Sequence, residues 1–129
     1  VIIDKIAWIH LESGKILSTR SRGKHVYYLP GGKREPGETD RRTLAREIEE
    51  ELTVTVADPV YFGAFEAQAH GHAPGVTVRM TCYTADYQGT LAPANEIEEV
   101  AWLTYADRDR VSPVDKLIFD HLHGKGSLR

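Results

Sequence analysis

Gly31–Val54 reads GGKREPGETDRRTLAREIEEELTV, and the rest of the chain is arranged around this stretch. A glycine-rich turn runs into a helical pattern. Each residue of an α-helix turns by about 100°. With Leu44 as origin, Leu44, Ala45, Ile48 and Leu52 fall in a stripe about 100° wide, the width of a buried face. Glu47, Glu50 and Glu51 gather on a neighbouring face, roughly 240–340° round, while Glu49 lies apart near about 140°. Like charges three and four apart destabilise a helix by about 0.2–0.5 kcal/mol per pair. Carboxylates near a helix C-terminus also oppose its dipole. A solvated acidic surface and a site for a hard, oxygen-seeking divalent cation both fit that pattern.

The fixed spacing ahead of the acids narrows the choice. Gly32 is followed after five residues by Glu38, and after seven more by Arg46-Glu47-Ile48; Glu50-Glu51 and Thr53-Val54 close the stretch. This resembles the Nudix box, with Thr53 standing where the family carries a second glycine. The resemblance implies an α/β protein, a Nudix-type α/β/α sandwich with a mixed β-sheet between helices. It also implies hydrolysis of a diphosphate linkage with Mg²⁺, for which Mn²⁺ may substitute. Carried over position by position, Glu47, Glu50 and Glu51 are metal ligands, the Gly31 carbonyl is a further ligand, and Arg46 orients the acids with Glu38 as its ion-pair partner. Glu96, in a later acidic segment, is favoured over Glu99 as the extra catalytic acid. Thr53 is β-branched and strained in a left-handed cap, so it is expected to leave the helix extended.

Composition agrees with a soluble enzyme. The 129 residues suit one domain, residues 1–129, with residues 124–129 expected as a frayed tail. A net charge of −3 gives no support to nucleic-acid coating or membrane-surface binding. No apolar run is long enough to span a bilayer and no signal-peptide pattern is present, so a cytoplasmic location is expected. Cys82, the one cysteine, suits a small apolar strand position. The sequence starts at Val1 rather than methionine, which leaves room for residues ahead of it.

Along the chain, Ile2–Leu11 and Ile16–Thr19 read as strands joined by a turn at Gly14. Arg20, Arg22, Lys24 and His25 make a basic loop, either solvated or attracting a polyanion. Arg20, Arg22 and Lys33 are the candidate substrate contacts. Val26–Leu29 reads as a strand, Asp58-Pro59 as a break between strands, and His70-Gly71-His72 as a loop. Val76–Tyr87 and Val100–Leu103 read as further strands. Ser112 and Asp115 are placed to cap a helix over Pro113–His123, whose buried stripe is Val114, Leu117, Ile118 and Leu122.

The expected ligand is a small-molecule nucleotide or other diphosphate, and a homodimer is compatible with the family. The tyrosine or proline markers of the dinucleoside polyphosphate and ADP-ribose branches are missing around Gln68–Gly71, so a MutT-like nucleoside triphosphate pyrophosphatase is expected. The alternative is a nonhydrolytic regulatory domain, although such domains often lose the box carboxylates that this chain keeps.

Overall fold

The computed structural model describes residues 1–129. In order, the elements are β1 (Ile2–Trp8), β2 (Leu11–Glu12), β3 (Lys15–Ser21), β4 (Gly31–Lys33), α1 (Asp40–Leu52), β5 (Thr55–Gln68), β6 (Thr77–Gln88), β7 (Ile97–Leu103), a 3-10 turn (Tyr105–Arg110) and α2 (Pro113–Gly124). A mixed sheet has the order β4-β1-β6-β5 and a second, antiparallel sheet the order β2-β3-β7. β1 is the pivot, parallel to β6 and antiparallel to β4. Its side chains alternate between faces, as a strand requires. Ile6 and Trp8 join Leu44, Ile48 and Leu52 of α1, whereas Ala7 and Ile9 join Val114, Ile118, Phe119 and Leu122 of α2. A strand covered on both faces reads as a continuous apolar run, as Ile6-Ala7-Trp8-Ile9 does. The two helices thus sandwich the strands.

Helix α1 starts where Thr39, in extended geometry, accepts the Arg42 N–H at 3.3 Å. It ends at Thr53, whose φ of 62° and ψ of 22° are left-handed, contrary to the extended exit expected from its β-branch. The helix's last carbonyls explain the outcome. Thr53 N–H bonds the Glu49 carbonyl at 3.0 Å, and its hydroxyl donates to the Thr90 carbonyl at 3.1 Å. Ala92 N–H and Ala94 N–H then take the carbonyls of Leu52 and Glu51, and the Asn95 amide takes that of Glu50. Satisfying these orphan acceptors offsets the strain at Thr53 and lays the segment before Glu96 along the helix end. Within α1 the buried stripe takes Thr43, whereas Ala45 is exposed; Glu49 is exposed as the helical wheel requires.

Other local expectations shift. Val26–Leu29 forms only bridges, Tyr28 with Thr19 and Tyr27 with Val111, and the strand beside β1 is the glycine turn itself. Asp58-Pro59 does not break β5; the pair is absorbed in a bulge, with Asp58 at a φ of 50°. On α2, Leu117 is exposed while Asp115 and Phe119 are buried. Ser112 stands at the N-cap but makes no side-chain cap bond, and Asp115 turns away to accept the Leu29 N–H at 3.1 Å. The tail is docked rather than frayed: Leu128 is buried in the α2 core, and Arg129 exchanges backbone bonds with Gly14 and Tyr105. Cys82 is buried, as its strand position predicts. No helix is long and apolar enough to cross a membrane.

Candidate active site

The glycine turn and α1 are built into one another. A Cβ on Gly31 would run into the Ile6 carbonyl, and one on Gly32 into the Glu47 carboxylate. Glycine is therefore required at Gly32 so that backbone can lie against an acid. Arg46 is the hub. Its Nε and Nη2 donate to the two oxygens of Glu38 at 2.7 and 2.8 Å, its Nη1 to Glu47 at 2.8 Å, and its Nη2 also to the Lys33 carbonyl. Such forked, charge-assisted bonds are the strong ones. They hold the Glu38 carboxyl down at about 2. The expected pairing of Arg46 with Glu38 is what the structure contains.

The three acids of the wheel differ in environment. Glu51 is 7% exposed and accepts the Gly31 N–H at 3.0 Å. Burial, reinforced by the charges of Glu47 and Glu96, pushes its carboxyl up to about 8. Burial also raises the pKa of Glu47, with Glu50 and Glu96 adding to the rise against the pull of Arg46. Glu50 is exposed, with Arg46 Nη1 at 3.6 Å. Glu96 thus acts on both buried acids from the segment that caps α1. Glu99 is committed elsewhere, accepting from the Tyr27 hydroxyl and from Arg20. As they stand, no three acids or histidines are drawn into a chelating set; Glu47 leans on Arg46 and Glu51 on the Gly31 N–H. The donors are nevertheless hard oxygens of like charge, the set a Mg²⁺ or Mn²⁺ ion takes. The burden on Glu51 is what a cation would relieve.

A cavity of about 150 Å³ opens at this point, lined by Glu51, Gly31, Gly32, Lys5, Tyr28 and Thr19 among others. A smaller one of about 50 Å³ adjoins it across Lys5 and Tyr28 and reaches Lys33, His70, His72 and Ser112. Of the expected substrate contacts, Lys33 therefore lines the cleft. Arg20 is held by Glu98 and Glu99 and by the Lys24 carbonyl. Arg22 is exposed, its N–H bound to the Glu96 carbonyl.

Lys5 and Tyr28 do not figure in the sequence reading, which takes Ser112 and Asp115 only as helix caps. Lys5 interrupts an apolar strand, which is the one signal that could have marked it. Its ammonium lies 5.4 Å from the centre of the Tyr28 ring. Burial holds its pKa below the ordinary lysine range, with Asp115, Glu51 and Glu47 opposing and Lys33 assisting. Asp115 is fully buried and pushed up to about 7 by that burial, and its Oδ1 and the Ser112 Oγ have no hydrogen-bond partner.

This arrangement has known counterparts. The pattern that defines the NUDIX domain family matches residues 5–122, and the chain belongs to that family. A Mycobacterium tuberculosis protein named "Putative 8-oxo-dGTP diphosphatase 2" is 33% identical over 90 residues, covering 68% of this chain and 62% of that protein. The match thus spans about three fifths of that relative's length. Among solved structures, the E. coli ORF135 protein superposes with a TM-score of 0.73 at 26% identity, over 95% of this chain and 89% of that one. A NUDIX hydrolase from Nitrosomonas europaea superposes with a TM-score of 0.76 at 21% identity, over 97% of this chain and 91% of that one, a likeness of fold.

Proposed function

We propose that the chain hydrolyses a diphosphate linkage in a nucleoside triphosphate or another nucleoside diphosphate derivative, using Mg²⁺, with Mn²⁺ as a substitute. One observation carries this reading: Glu51 is buried against the glycine turn, bound to the Gly31 N–H, with the charges of Glu47 and Glu96 bearing on it and its carboxyl raised. Glu47, Glu50 and Glu51, with the Gly31 carbonyl, would hold the cation, which when bound neutralises diphosphate oxygens and acidifies water.

The chain's own residues do the rest. Arg46 fixes Glu47 and ties the helix to Glu38 and the turn. The Gly31 N–H holds one Glu51 oxygen, leaving the other toward the cleft contents. Glu96 makes no side-chain hydrogen bond and is free to take the proton of the attacking water. The water oxygen bonds to phosphorus as the bridging P–O bond breaks, and the bridging oxygen leaves with the second phosphate group. The products are a nucleoside monophosphate and phosphate, pyrophosphate or a second organic phosphate, according to the group beyond the bridging oxygen.

The Mycobacterium tuberculosis relative makes an oxidised purine nucleoside triphosphate the first substrate to try. Incubation with Mg²⁺ and a panel of nucleoside triphosphates, nucleotide sugars and dinucleoside polyphosphates, with products resolved chromatographically, tests the proposal. Mg²⁺-dependent release of a nucleoside monophosphate is expected; binding across the panel without turnover would contradict it.

A further inference from the structure

Lys5 and Lys33 face each other directly across the β1–β4 ladder. Like charges in that position destabilise a sheet. Neither ammonium has a carboxylate within ion-pair distance, although Arg20, Arg34 and Arg46 each pair with two or more acids. Both lysines line the smaller cavity, together with Tyr28, His70, His72 and Ser112. That cavity has no acidic residue in its wall, whereas its neighbour across Lys5 and Tyr28 contains Glu51. A cleft divided in this way has one end suited to a cation and the other to an anion.

We propose that Lys5 and Lys33 form a two-lysine clamp for phosphoryl oxygens of the substrate, at the end of the cleft away from the carboxylates. The clamp rests on the hydrolase reading for its role in turnover, but its affinity for phosphate does not. A lysine is a compact charge that binds phosphate without needing a fork geometry. The two come from neighbouring strands, so their spacing is set by sheet pairing rather than by loop motion. The clamp also accounts for two like charges set opposite each other with no ion-pair partner: a bound phosphoryl group is the counter-charge within their reach.

The test is titration with inorganic tripolyphosphate in the absence of divalent metal, followed by calorimetry and by thermal melting. Wild type, Lys5→Met, Lys33→Met and a control, Lys15→Met on the distant hairpin, are compared. The clamp predicts that each of the first two variants loses about tenfold or more in affinity, as expected for a lost charge-assisted bond, while the control binds as wild type does. It also predicts that ligand-free Lys5→Met melts no lower than wild type, since a repulsion is removed. Equal affinity in wild type, Lys5→Met and Lys33→Met would overturn the clamp. So would a Lys5→Met protein that melts lower and binds normally, which would make Lys5 a structural counter-charge for Glu51 and Asp115. Should Lys5→Met fail to fold, the exposed Lys33 decides the matter alone. Because no turnover is needed, a chain that binds tripolyphosphate but hydrolyses nothing would spare the clamp and sink the hydrolase.

Discussion

Helices α1 and α2 have 13 and 12 residues, and each covers one face of the strands, yet they surround their acids differently. On α1, Glu47 and Glu51 are kept beside partners that favour charge, Arg46 and the Gly31 N–H. On α2, Asp115 has one backbone donor, an unpartnered second oxygen and no cation in ion-pair range. The α1 acids belong to a network whose members are spaced along one stretch of chain. Asp115 owes its surroundings to strands and turns far away in sequence. A helix that gathers charge for function is thus readable locally, while a helix that packs a core hides its polar exception.

The contrast can be broken most strongly at the glycine turn. Gly32→Ala would drive a Cβ into the Glu47 carboxylate. Displacement of a site group by about 1 Å can cost 10²-fold in rate, so steady-state hydrolysis is expected to fall by about that factor with melting little changed. On the α2 side, Leu128→Ala removes a buried side chain from the core that the tail completes, with an expected loss of about 2–5 kcal/mol in denaturant unfolding. A loss near zero would restore the frayed tail.

Burial gives Asp115, like Glu51, a raised pKa, and at Asp115 the consequence is read in stability. Asp115 is pushed up to about 7, above its unfolded value near 3.9. The folded chain therefore favours the protonated acid, and the cost of ionising it grows as pH rises above about 4 and is complete above about 7. Asp115→Asn should gain on wild type by on the order of 2–3 kcal/mol between pH 5 and pH 8 in chemical denaturation. A gap independent of pH would show that burial does not hold Asp115 protonated. The smallest effect is at the end of α1. At left-handed Thr53, Thr53→Gly should be more stable than Thr53→Ala by about 1 kcal/mol, because only alanine keeps the Cβ strain; equal stabilities would show that the cap is not strained.

The placement of the α1 side chains was legible, because burial of Leu44, Ile48 and Leu52 follows from helical period and the Arg46–Glu38 pair from its spacing. Much of the strand order was legible from apolar runs, with β1 marked by Ile6-Ala7-Trp8-Ile9. The left-handed Thr53 departs from expectation because its intrinsic strain is offset by contacts far off in sequence: the carbonyls of Glu50, Glu51 and Leu52 are satisfied by a segment some forty residues on. Leu117 and Phe119 exchanged expected places because the buried stripe of α2 turns toward Leu29 and the docked tail. Lys5 was overlooked because its importance lies in facing Lys33 across a ladder, and ladder register depends on the glycine turn folding back on β1.

The central claim is that α1 presents Glu47, Glu50 and Glu51 to a bound cation and turns Glu49 away. The most direct measurement is Mg²⁺-dependent hydrolysis by Glu51→Gln and Glu49→Gln side by side, on a substrate the wild type turns over. Glu51→Gln should lose about 10²–10⁴-fold, and Glu49→Gln, changed at an exposed position, should match wild type. Equal rates in the two variants would contradict the assignment of this helix as the catalytic element.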